Sequence, residues 1–94
     1  MYRKLKYKTE EEVLQGDYIT MDYGYEHMQI TYLVDTDEKK KLWGEKDVGV
    51  FAISQEMRME FFCPAWMIEG EETDFLRRGV PPPSRFVSES EQNM

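Results

Sequence analysis

Residues 17–34 read DYITMDYGYEHMQITYLV, and this stretch decides the fold. In its first half Ile19, Met21 and Tyr23 alternate with Tyr18, Thr20 and Asp22. In its second half Met28, Ile30, Tyr32 and Val34 alternate with His27, Gln29, Thr31 and Leu33. A period of two is that of a strand with one face against a core. Between the halves, Gly24-Tyr25 has the glycine-first form of a two-residue type II′ loop. Closing the hairpin there sets Tyr23 opposite Glu26, Asp22 opposite His27, Met21 opposite Met28 and Ile19 opposite Ile30. Turn chemistry and apolar pattern agree on that register.

Downstream, DVGVFAI (residues 47–53) is a nearly continuous apolar run, expected to be a third strand covered on both faces or paired along its outer one. MRMEFF (57–62) alternates Met57, Met59 and Phe61 with Arg58 and Glu60 and completes a second hairpin. Its register stays open: a two-residue loop faces even-numbered residues of the third strand to Met59 and Phe61, a three-residue loop faces Phe51 and Ile53 to them. Cys63-Pro64 interrupts the strand, and AWMI (65–68) resumes apolar after a bend. Helix is a minority: Thr9 with Glu12 makes a capping-box pattern before Val13 and Leu14, ended by Gly16. TDFLRR (73–78), with acids before it and arginines at its end, predicts a second short helical turn. Residues 35–47, DTDEKKKLWGEKD, read as a charged excursion carrying Trp43 or as extended strands closed by a central turn.

These elements predict a mainly β, β-rich α+β fold: a small antiparallel meander sheet or SH3-like barrel with one or two short helices. A fifth strand would come from the leader or from AWMI. GDYI (16–19), a glycine and an acid leading into the first strand, resembles the entry to SH3-like barrels, which implies architecture and no function. The expected domain spans 1–79. Residues 80–94, in which Val80 leads into Pro81-Pro82-Pro83 and then polar and acidic residues, are expected to be a disordered tail.

At 94 residues the chain has room for one modest core, which excludes two-domain enzymes, propellers and eight-fold βα barrels. No window is apolar enough to span a membrane, and MYRKLKYK is followed by TEEEVLQGD instead of an apolar signal core. The single cysteine, Cys63, has no internal disulfide partner, so a cytoplasmic setting is expected. Net charge is −7. Arg3, Lys4, Lys6 and Lys8 sit in a leader without acids, leaving eight basic groups against 19 acids over residues 9–94. Such a body repels a phosphate backbone, so direct nucleic-acid binding is not expected, and the leader's cations are expected to balance the protein's own acids.

Catalytic arrangements are scarce. His27 across from Asp22 is an exposed cross-strand pair, and Cys63 among Phe61, Phe62, Pro64 and Trp66 reads as a buried inert thiol. No phosphate loop, dinucleotide turn or HExxH occurs, and the acids at 35–38 and 69–74 read as solvated charge, so neither a metal nor a cofactor is expected. The chain is therefore expected not to be an enzyme. Its partner-binding residues are expected among exposed aromatics, Tyr18, Tyr25 and Trp43, and steering acids, Glu69, Glu71, Glu72 and Asp74. Tyr23 and Tyr32 are assigned to the core, and methionines such as Met57, Met59 and Met67 supply deformable apolar surface. The expectation is a small acidic protein that binds and inhibits a protein partner, by analogy with phage or mobile-element products acting on host nucleic-acid enzymes. The alternative is a small-ligand or nucleotide binder with an aromatic pocket at a homo-oligomer interface, using Arg58, Arg77 or Arg78.

Overall fold

Ile19 and Met21 of β1 (Tyr18–Met21) share one buried face with Met28 and Ile30 of β2 (Glu26–Val34), as their alternation requires. A computed structural model describes residues 4–81. There β1 and β2 are followed by α1 (Asp37–Trp43), β3 (Gly49–Ser54), β4 (Glu60–Pro64), α2 (Ala65–Ile68) and β5 (Asp74–Arg77). The strands form one antiparallel sheet in the order β4-β3-β2-β1-β5. Four strands meander, and β5 returns to the far edge beside β1. Because β4 and β5 end up at opposite edges, the sheet is open, and the SH3-like barrel is not formed.

The first hairpin turns through four residues, not two. Asp22 (φ 53) and Tyr23 (φ 55) are both left-handed, the form of a type I′ turn, and Gly24 N–H donates to the Met21 carbonyl at 3.2 Å. Aspartate tolerates that conformation, and Tyr23 is held in it by donating its N–H to the Glu72 carbonyl at 3.1 Å. The ladder consequently closes two residues early: Met21 faces Glu26, Thr20 faces His27 and Ile19 faces Met28. An even displacement leaves every strand side chain on its face while changing its partner. Tyr23, placed in the core by the alternation, instead rides on the turn at 73% exposure.

A second departure lies within β2. Ile30 faces Ala52 but Tyr32 faces Phe51, so Thr31 is the extra residue of a bulge. Beyond it the faces exchange. Tyr32 and Val34 join Phe51 in a second cluster on the opposite face, with Trp43 and Phe62 against it, while Leu33 packs on the first cluster. The Thr31 hydroxyl donates to Glu60 Oε2 at 2.6 Å, which satisfies the bulged residue inside the protein.

Residues 35–47 fold into α1 rather than an open excursion or strands. Thr36 Oγ1 accepts from Lys39 N at 3.1 Å, Asp37 and Glu38 occupy the first turn, Lys40 and Lys41 the last, and Gly44 closes it at φ 68. The helix lays Trp43 edge-on against Tyr32 and Phe51, with ring centroids 6.5 and 5.7 Å away. Residues 74–77, expected as helix, are β5, because the free edge of β1 supplies hydrogen bonds that a one-turn helix lacks. AWMI supplies no fifth strand; it is α2, burying Ala65 and Ile68.

The capping-box helix near Thr9 is absent too: the leader doubles back, with Val13 N–H donating to the Leu5 carbonyl at 2.9 Å and Glu10 at φ 75. This delivers Leu5, Tyr7 and Val13 to the first core. The second hairpin takes the even-numbered register, Ala52 facing Phe61, and its five-residue connection leaves Met57 and Met59 exposed instead of in the strand.

One polar knot joins leader, β1 entry and β5 exit. Asp17, fully buried, accepts at Oδ2 from the Tyr7 hydroxyl (2.6 Å), Leu14 N–H (2.9 Å) and Arg78 Nη1 (2.7 Å). Phe75 stacks on Tyr7 at 5.0 Å and lies under the Arg78 guanidinium. The expected disordered tail falls, beyond Pro81, outside the described residues.

Candidate functional site

Three loops and the sheet face beneath them enclose an open pocket of about 410 Å³. Sulfur-bearing residues make up half of its lining: Met21 and Met28 from the first hairpin, Met57 from the β3–β4 loop, Cys63 from β4 and Met67 from α2. Phe61 and Phe62 complete the apolar wall. Asp22, Glu26 and Glu72 supply the polar lining, and among the described residues no basic side chain lines it.

The local sequence explains how these groups converge. The even displacement in the first hairpin keeps Met21 and Met28 on one face and brings Asp22 and Glu26 to its end. Tyr23 N–H on the Glu72 carbonyl ties the hairpin tip to the α2–β5 loop. The β3–β4 loop is fastened to β2 by Gln55 N–H on the His27 carbonyl (2.8 Å), and Ser54 Oγ accepts from Met57 N–H at 3.1 Å and donates to Glu26 Oε2 at 3.3 Å.

His27 Nδ1 stands 2.9 Å from Glu56 Oε1, not beside Asp22, because the turn has moved Asp22 out of the ladder. The hydrogen bond from His27 holds the Glu56 carboxyl below its ordinary pKa. Burial pushes the Cys63 thiol up to about 12, the opposite of what a nucleophile needs, and its Sγ lies 3.7 Å from Met21 Sδ.

The expected site residues are dispersed. Tyr25 stands at the hairpin tip, 82% exposed, and Glu72 lines the pocket. Trp43, expected to be an exposed anchor, is half-buried in the second cluster, because α1 turns it onto the sheet. Tyr18 is half-covered by the Arg77 guanidinium, 4.0 Å above its ring. Three of the four acids gather about Lys8, and Glu72 stands apart at the pocket. Lys8 Nζ meets Asp74 Oδ1 at 2.9 Å and the Glu71 carboxylate at 4.0 Å, while Glu69 lines a second hollow of about 360 Å³ beside Lys4, Lys6 and Lys8. With Lys4 on Glu12 (3.4 Å) and Lys6 on Glu10 (3.6 Å), the leader's lysines neutralise the protein's own acids as expected.

Sequence reasoning missed Asp22 and Glu26 as lining acids, and Tyr23 and Trp66, the latter 66% exposed on α2, as surface aromatics. The residue types were visible, since seven methionines in 94 residues is a large number, but their convergence depends on tertiary contacts. No family model, curated protein or solved structure matches the chain, so its site is read from its own residues. Among the described residues, no group of three or more His, Cys, Asp or Glu side chains is placed to hold a metal, and no helix is long and apolar enough to cross a membrane.

Proposed function

We propose that this protein is a non-enzymatic interaction module that seats an apolar side chain from a basic segment of a protein partner in the methionine pocket, and that occupying this segment inhibits the partner. The observation that carries the reading is the pocket's composition: four methionines and two phenylalanines beside Asp22, Glu26 and Glu72, with no base among the described residues. A net charge of −7 steers a cationic surface toward the protein, and salt weakens that steering. Burial of one Leu- or Met-sized side chain then contributes roughly 1.5–3 kcal/mol, and methionine walls adapt to its shape. Tyr25 and Tyr23, both largely exposed, extend the contact beyond the pocket. Inhibition of a nucleic-acid enzyme, as by acidic phage proteins, fits this chemistry because such enzymes present basic surfaces.

The pocket's volume also falls within the range of small-molecule sites, which favours a second reading, capture of a small ligand. Three acids and no base among the described lining residues then select a cationic amphiphile over a nucleotide. A peptide-display selection on the full chain tests the first reading. Selected peptides should pair a long apolar residue with flanking Lys or Arg, and should lose affinity for the Asp22→Lys/Glu72→Lys variant. Acidic or uncharged winners, or affinity indifferent to that variant, overturn it.

A further inference from the structure

We propose that the sulfur-lined side of the pocket is a binding site for a thiophilic monovalent cation, Cu(I), held by Cys63 and Met21 with a further thioether from Met28, Met57 or Met67. Cys63 and four methionines line one open pocket, so this buried thiol has other sulfur-bearing side chains around it instead of hydrocarbon alone. One pair is already spaced for a shared ligand. Two sulfurs each about 2.3 Å from a metal at a tetrahedral angle lie about 3.8 Å apart, and Cys63 Sγ and Met21 Sδ are 3.7 Å apart. Thioether and thiolate are soft donors, the set that selects Cu(I) over Mg, Ca or Mn. The oxygen donors in the lining do not compete well, since Glu26 accepts from Ser54 and the described residues hold no oxygen-rich metal cluster.

Electrostatics favours the bound state. A lone thiolate in this apolar setting is disfavoured, but a thiolate joined to a monovalent cation is a neutral pair. As the Cu–Sγ bond forms the Sγ–H bond breaks and the proton leaves to solvent; copper stays Cu(I), no electron moves, and the thioethers bind as neutral donors. The acids in the lining raise the local cation concentration. The inference is independent of the docking reading, because its test contains no partner.

The test uses the full chain under anaerobic conditions. Titration against a colorimetric Cu(I) chelator should withdraw one equivalent of metal. With Ag(I), a redox-inert surrogate, and methyl-labelled methionine, one equivalent should shift the Met21 signal and at least one of Met28, Met57 and Met67, while Met59, exposed and outside the lining, stays in place. Met21→Leu, nearly isosteric, should weaken binding at least tenfold, and Cys63→Ser should abolish it. If Cys63→Ser fails to fold, Met21→Leu decides. Copper left wholly on the chelator, methionine signals that do not move or that move together with Met59, or unchanged affinity in Met21→Leu overturns the proposal.

Discussion

Tyr7→Phe should cost the fold about 2 kcal/mol while removing a single oxygen. The Asp17 carboxylate is fully buried, and its Oδ2 is shared by Tyr7, Leu14 and Arg78, while Oδ1 has no partner among the described residues. Hydrogen bonds to an ionised group contribute about 1.5–3 kcal/mol, and losing one of three from a carboxylate already short of donors belongs in that range. Phenylalanine keeps the ring stacked on Phe75, so packing is preserved and the measured loss isolates the hydroxyl. Arg78 is 42% exposed, so solvent screens its charge, and Arg78→Ala should cost about 1–2 kcal/mol instead of the 3–5 of a fully buried pair. Because both groups share one oxygen, the double variant should be non-additive by roughly 0.5 kcal/mol or more. Urea unfolding with an unchanged m-value is the assay, and about 2 kcal/mol corresponds to roughly 8–16 °C in Tm. A Tyr7→Phe loss below about 0.5 kcal/mol would refute the view that Asp17 is a buried ionised acceptor organising the leader.

The same hydroxyl predicts a pH effect: burial and the bond to Asp17 raise the Tyr7 pKa well above its ordinary value, so the folded protein keeps this phenol neutral where the unfolded chain ionises it. Its contribution is fully present below about pH 10 and falls as pH rises beyond, a decline that Tyr7→Phe should lack when unfolding free energies are compared across that window. Trp43→Ala should cost about 2 kcal/mol, less than a fully buried Trp because the residue is half-exposed, yet leave peptide docking unchanged in a titration, since it sits in the other cluster. Deleting Thr31 would return Tyr32 and Val34 to the first face and strip the second cluster of its centre, so the variant should show no cooperative unfolding transition.

The buried face of the first hairpin was legible because alternation reports faces directly: Ile19, Met21, Met28 and Ile30 lie where the pattern puts them. Their partners were not, because an even displacement leaves the pattern unchanged, and only the left-handed pair Asp22-Tyr23 and its anchor on Glu72 decide it. Alternation also runs unbroken through Thr31, so a bulge that exchanges the faces leaves no trace in it. The signals for α1 were present in Thr36, Asp37, Glu38, Lys40, Lys41 and Gly44, but only Leu42 and Trp43 offer it apolar residues, too few to show a period. β5 carries helix-like charges and becomes a strand because β1 has an edge to offer. At the site, the deformable methionines and Glu72 were legible as residue types. Their meeting was not, since a backbone bond from Tyr23 to Glu72 and a side-chain bond from Ser54 to Glu26 assemble the lining.

The most direct test of the docking pocket is a methyl-methionine NMR titration of the full chain with two matched peptides, one with a leucine flanked by lysines and one with the same leucine flanked by glutamates. The lysine peptide should shift Met28, Met57 and Met67 saturably, with Met59 still and with affinity falling as salt rises, and the glutamate peptide should not bind. Equal binding of both peptides, or shifts confined to methionines outside the pocket, would contradict the account.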